Sequence, residues 1–224
     1  MTYSIAIDGP AGAGKSTIAR RLASELGYYY VDTGAIYRTV AYFLDLLGIS
    51  PKDTDGVNRY IDELTIGIEY DEEGKQHMIM NGMDVSDEIR TQEISQKASL
   101  VAAHAVVRDM LLDMQRQLAR EHNVIMDGRD IGTVVLPNAD VKIFLTASAE
   151  IRAQRRFDEL AAKKTKTTYQ KVLEEVKQRD DQDSHRKIAP LKQAKDAVLL
   201  DSSELDIDGV VEAMKKIVAE KIGA

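Results

Sequence analysis

Cysteine is missing from this 224-residue chain. That excludes disulfide bridges, thiolate metal centres and a cysteine nucleophile. Histidine is scarce: His77, His104, His122 and His185 are scattered without metal-ligand spacing, and none is given a catalytic role. Positive charge is in deficit, the formal net charge being −7. That argues against a nucleic-acid binder held by bulk charge, although it leaves room for a local basic cluster. No apolar run approaches the roughly 20 residues needed to cross a bilayer, and nothing at the N-terminus reads as a leader. The expected compartment is the cytoplasm. Internal repeats and low-complexity stretches are absent as well. So is the guanine-reading pattern N-K-x-D, which weighs against a GTPase-type switch.

What is present suits one α/β domain with insertions: 44% hydrophobic and 30% charged residues over this length. The organising stretch lies at the start. Tyr3 to Asp8 is a short apolar, β-branched run with the look of a buried strand. Gly9-Pro10-Ala11-Gly12-Ala13-Gly14-Lys15-Ser16 follows and fits G-x-x-x-x-G-K-[ST]. Ser16 to Leu26 then places Ile18, Leu22 and Leu26 on one helical face. Strand, glycine loop and helix arrive in the order that a phosphate cradle requires. Glycines let successive N–H groups turn inward, and the helix N-terminus adds partial positive charge. Lys15 would reach the β- and γ-phosphates of a nucleoside triphosphate, and the Ser16 hydroxyl would ligate Mg²⁺.

Further strands are expected at Tyr28 to Val31, Val124 to Met126, Val141 to Leu145 and Ala197 to Leu200. Helical patterns separate them, at Ala35 to Leu47, Asp53 to Leu64, Ile89 to Ala103, Val106 to Glu121, Glu150 to Ala162 and Tyr169 to about Asp183, with a last helix over Ile207 to Ile222. Such alternation predicts a doubly wound parallel sheet of five strands. Thr65 to Val85 breaks the pattern: two alternating runs and the hairpin signal Asn81-Gly82 predict a small antiparallel insertion. Ligands in such folds gather beyond the carboxyl ends of the strands, and three polar clusters fall there.

The first is Asp32-Thr33-Gly34-Ala35-Ile36-Tyr37-Arg38. Asp32 or Thr33 suits a helix N-cap, and a cation at Arg38 opposes the helix dipole unless an anion binds nearby. The second is Asp127-Gly128-Arg129-Asp130. Asp127 is placed to hold a water of Mg²⁺ and Arg129 to fork onto a phosphate, the plain alternative being an Arg129–Asp salt bridge within the turn. The third is Arg179-Asp180-Asp181-Gln182-Asp183-Ser184-His185-Arg186, with Arg152, Arg155 and Arg156 upstream. It reads either as a solvated, ion-paired helix or as a mobile flap whose arginines close over transferring phosphates and exclude water.

Together D-G-P-A-G-A-G-K-S-T (8–17), V-D-T-G-A-I-Y-R (31–38), D-G-R-D-I-G-T-V-V (127–135) and R-D-D-x-D-x-x-R (179–186) resemble the bacterial cytidylate kinases, P-loop nucleoside monophosphate kinases, over essentially the whole chain. Ala13 and Thr33 stand where the family often has Ser; Thr33 keeps the hydroxyl. The resemblance implies a P-loop NTPase-type core at 1–33, 104–147 and 187–224, an acceptor-nucleotide insertion at about 34–103 and a helical lid at about 148–186. It implies MgATP plus CMP or dCMP giving ADP plus CDP or dCDP. Gly9 to Ser16, with Thr17 and Arg156, would bind ATP. Arg38, Arg129 and Arg186 would hold the CMP phosphate, Arg179 and Asp183 the sugar, and Ser99, Arg108 and Asp130 the cytosine, with Thr33 and Asp127 close by. Lys15, Arg129, Arg179 and Arg186 would serve catalysis. A carboxylate such as Asp130 suits cytosine independently, because the exocyclic amine donates where uracil presents an acceptor. A UMP, AMP or shikimate kinase is the nearest rival, and a monomer without nucleic-acid or membrane partners is expected.

Overall fold

The computed structural model describes residues 2–223. Ser4–Asp8 forms β1, Lys15–Leu26 α1, Tyr29–Asp32 β2 and Thr33–Leu46 α2. Thr54–Tyr60 is α3, followed by a 3-10 turn at Ile61–Glu63. Ile66–Tyr70 (β3), Gln76–Met80 (β4) and Met83–Asp84 (β5) come next, then Gln92–Val101 (α4) and Ala105–Glu121 (α5). Val124–Gly128 is β6 and Val141–Thr146 β7. Ala149–Ala162 (α6), Tyr169–His185 (α7), Val198–Asp201 (β8) and Ile207–Ile222 (α8) complete the chain.

β1 is the centre of a five-stranded parallel sheet ordered β2-β6-β1-β7-β8. The alternation of a strand sends neighbouring side chains to opposite faces. Ile5 and Ile7 of β1, with Ile125, Ile143 and Leu145, pack under α1 and α8. Ala6, Val31, Val124 and Met126 face the other way, against α2, α4 and α5. Helices therefore cover both faces, as the near-continuous apolar strands required. The antiparallel sheet β3-β4-β5 stands apart, with Asn81 (φ 48°) and Gly82 (φ 83°) both left-handed in the turn that joins β4 to β5. Buried Gln76 fastens it to the core by accepting from the Asp32 N–H at 2.7 Å.

One helical expectation is corrected and one unforeseen turn is added. The run from Ile89 to Ala103 is not one helix: a 3-10 turn at Glu88–Arg90 precedes α4, and Thr91 caps α4 by accepting from the Ile94 N–H. Residues 131–135, given no element from the sequence, form a π-helical turn directly after β6. α6 and α7 form a hairpin with a small core of their own, Ala153, Leu160, Val172 and Val176.

Candidate active site

The loop between β1 and α1 wraps onto the helix end as the motif requires. Gly14, left-handed at φ 87°, occupies the N-cap of α1, and no side chain caps that terminus. The first N–H groups of the helix thus remain turned toward the loop, where they suit an anion. Lys15 is buried and folds back, donating from Nζ to the Pro10 carbonyl at 2.8 Å. Burial, reinforced by Arg129, lowers its pKa to about 7. Ser16 Oγ donates to Asp127 Oδ2 at 2.8 Å, and the Tyr30 hydroxyl donates to Asp127 Oδ1 at 2.9 Å. Burial raises the Asp127 pKa, with Asp32 adding to the effect.

The second cluster assembles around the end of β2. Asp32, not Thr33, is the N-cap of α2, accepting from the Ala35 N–H at 2.8 Å. Thr33 is buried and donates to the Asp127 carbonyl at 2.6 Å, tying the ends of β2 and β6 together. Arg38 donates from Nη2 to Asp32 at 3.0 Å, while its Nε is buried without a partner among the described residues.

In place of the ion pair within its own turn that was the plain alternative for Arg129, a longer connection forms: Arg129 Nε donates to Asp183 of α7 at 2.8 Å. Burial pushes the Asp183 carboxyl up, but Arg129 and its neighbours outweigh that and leave it below the usual range. Asp130, buried, accepts from Arg108 of α5 and from Arg186 Nη2, the latter at 3.1 Å. Arg179, one turn before Asp183, has its Nε buried and without a partner among the described residues. Burial, then the nearby Arg129, Arg38 and Arg156, brings its pKa down to about 10. Cations from α2, the β6 turn and α7 thus converge on the mouth of the phosphate loop. Ser99 lies half-buried on α4, and a cavity of about 190 Å³ lined by Tyr37, Arg108, Leu112 and Gln115 adjoins the Arg108–Asp130 pair.

The arginines of α6 do not act as one set. Arg155 is spent on the Ser202 carbonyl at 2.7 Å, and Arg152 is buried among protein acceptors. Arg156 is half-buried and pairs with Glu159. His185 is exposed beside Asp181.

Asp8 escaped notice in the sequence as more than a strand end. It accepts from the N–H groups of Ile131 and Gly132, both at 2.7 Å, and so grips the π-helical turn that follows Arg129 and Asp130. Burial raises its pKa to about 6. Its partners lie 123 and 124 residues away, so no local signal could have revealed them.

A phosphate loop at the end of a central parallel strand, facing a ring of arginines, defines a P-loop kinase. The comparisons narrow this. The family described as cytidylate kinase matches residues 5–220. A cytidylate kinase of Exiguobacterium sp. is 49% identical over 219 residues, covering 98% of this chain and 97% of its own. One from Clostridium tetani is 45% identical over 222 residues, covering 99% and 96%. A solved structure from Eubacterium ventriosum, described as an uncharacterised protein, shares the fold at a TM-score of 0.51 and 12% identity, covering 96% of this chain and 97% of its own. The chain belongs to the cytidylate kinase family and is a nucleoside monophosphate kinase. No helix among the described residues is long and apolar enough to cross a membrane.

Proposed function

We propose that the chain moves the terminal phosphoryl group of MgATP to CMP or dCMP, releasing ADP and CDP or dCDP. An oxygen of the acceptor phosphate bonds to the γ-phosphorus as the bond to the β–γ bridging oxygen breaks. The observation that carries this reading is the pair of buried, unpartnered guanidinium nitrogens, Arg38 Nε and Arg179 Nε. A buried donor left unpaired costs about 1–3 kcal/mol, and more when charged. Arg179 is repelled by Arg38 and Arg129, and Arg129 in turn repels Lys15, a repulsion that an arriving phosphate relieves.

Each group has a task. The loop from Gly9 to Ser16, with Thr17 behind it, cradles the ATP phosphates, and Arg156 approaches the same nucleotide from the lid. Lys15 leaves the Pro10 carbonyl for the transferring group. Arg38, Arg129 and Arg186 hold the acceptor phosphate, and Arg179 neutralises charge between the two nucleotides. Such fixed cations lower the barrier through position and electrostatics, since phosphoryl transfer asks for little covalent help. Arg179 and Asp183 border the sugar. Ser99, Arg108 and Asp130 read the base, with Thr33 and Asp127 lining the floor.

The donor set fits Mg²⁺. Ser16 Oγ and Asp127 Oδ2 are hard oxygens already in contact at 2.8 Å. An ion of this kind takes most of its ligands from phosphate and water. When bound, the ion supplies charge neutralisation at the phosphates. Ser16 and Asp127 would hold it, Asp127 through a water.

A coupled assay of ADP release over CMP, dCMP, UMP and AMP, run with Asp130→Asn in parallel, tests the reading. A carboxylate retains acceptor capacity beyond its two arginine partners, so CMP and dCMP should beat UMP on the order of 10²-fold. Asp130→Asn should narrow that ratio at least about tenfold. Equal use of CMP and UMP by the wild type would overturn the substrate assignment. An unchanged ratio in Asp130→Asn would remove Asp130 from base recognition.

A further inference from the structure

Arg152 differs from Arg155 and Arg156, its neighbours on α6, in reaching the phosphate loop. It stands in the first turn of α6 with its side chain 5% exposed. Nε donates to the Ala147 carbonyl at 2.8 Å. Nη1 donates to the Ala11 carbonyl at 3.0 Å and to Asp180 Oδ1 at 2.9 Å, and Nη2 donates to Asp180 Oδ2 at 2.6 Å. Its aliphatic stem lies along the neighbouring loop residue: a Cβ placed on Gly12 would be 3.4 Å from Arg152 Cβ. One side chain therefore touches two consecutive residues of the phosphate loop and forks onto a carboxylate of α7.

The geometry of the fork matters. A guanidinium holds its partners in one plane, so the Ala11 carbonyl and the Asp180 carboxylate cannot swing independently. Asp180 follows Arg179 directly, and successive residues of an α-helix point about 100° apart. Anchoring Asp180 thus sets the rotation of α7 and the direction in which Arg179 emerges. Asp183, one turn on, meets Arg129. The core of the α6–α7 hairpin is separate from the two clusters that flank the sheet, which leaves polar contacts such as these to relate lid and body. As a source of stability such a pair is weak, because removing both charges from water offsets much of their attraction. Its value lies in orientation.

We infer that Arg152 is a positioning residue: it holds the phosphate loop at Ala11–Gly12 and the lid at Asp180 in one register, so that Arg179 meets the transferring group only when the loop is seated. It contacts neither nucleotide. This rests on the phosphoryl-transfer reading above.

A double-mutant cycle with Arg152→Met and Asp180→Asn tests it, with kcat, the two KM values and the ratio of ATP consumed to CDP formed as readouts. Asp180 is part-exposed and Asn is isosteric, so that variant folds whatever becomes of Arg152→Met. Each single change should lower kcat on the order of 10- to 100-fold, with both KM values within about threefold of wild type. The double variant should be no slower than the slower single, as expected of partners acting as a unit. ATP should be consumed without CDP more often, because a mispositioned lid admits water. Arg152→Lys, which keeps the charge and loses the fork, should resemble Arg152→Met. Three results would overturn the inference: losses that multiply in the double variant, a raised KM for ATP alone with Asp180→Asn silent, or a lowered Tm with kcat unchanged. A wild-type chain that makes no CDP would instead defeat the phosphoryl-transfer reading.

Discussion

Asp8 shows how much one buried carboxylate decides. It ends β1, accepts two backbone N–H groups from the π-helical turn, and so sets where Arg129 and Asp130 stand. Those bonds favour its charged form, yet burial outweighs them and lifts the pKa from 3.8 to about 6. A folded-state pKa above the unfolded value means that the folded chain binds the extra proton between these limits. Stability from this group is thus greatest in acid and falls as pH rises through about 6, by something on the order of 2–3 kcal/mol. Asp8→Asn removes the titration. The melting temperature of the wild type relative to Asp8→Asn should therefore decline from pH 4 to pH 7, measured by thermal scans in matched buffers. A constant difference would show that Asp8 is ionised throughout. Arg129 and Asp130 themselves were legible as a local motif. Their partners Asp183, Arg108 and Arg186 were not paired with them by that motif, because those pairings are made by chain reversals across 22 to 56 residues.

At the scale of elements, the strand–loop–helix unit was readable because everything it needs is contiguous. Its tightest demand comes from elsewhere. At Gly9, with φ 151°, an added Cβ would sit 1.9 Å from the Leu145 carbonyl oxygen of β7. That clash involves backbone on both sides and cannot be relieved by a rotamer change. Gly9→Ala should lower the melting temperature by at least about 5 °C, on the scale of overpacking costs for a chain of this size, and raise the KM for ATP as the loop shifts. A melting point within about 2 °C of wild type would mean that β7 yields more readily than its central place suggests. The antiparallel insertion was legible from Asn81-Gly82 and its alternating flanks. The split before α4 was not, since the apolar spacing runs on through Thr91 and only the cap breaks it.

Across the whole molecule, the α6–α7 hairpin is the part we propose to move as a lid. Its helices α6 and α7 bury a small core of their own and meet the body through the Arg152–Ala11 hydrogen bond and the ion pairs Arg129–Asp183 and Arg186–Asp130. Regions with few buried apolar contacts open at lower free energy than a central sheet. Without nucleotides, amides of α6 and α7 should exchange with solvent at least about tenfold faster than those of β1 and β6, and slow when CMP and a non-hydrolysable ATP analogue are both present. Equal protection of lid and sheet in the free protein would count against a moving lid.

The amino-acid sequence by itself determined the covered parallel sheet, the phosphate loop, the inserted hairpin and the residue types around the site. Those follow from periodicities and spacings that act within a single short stretch of chain. Tertiary structure alone decided which carboxylate restrains which arginine, that Arg152 and Arg155 serve the protein's own carbonyls, and that Asp8 commands a turn more than 120 residues away. Ion pairs and buried hydrogen bonds depend on distance and water exclusion in the folded chain, and neither is written in the spacing of residues along it.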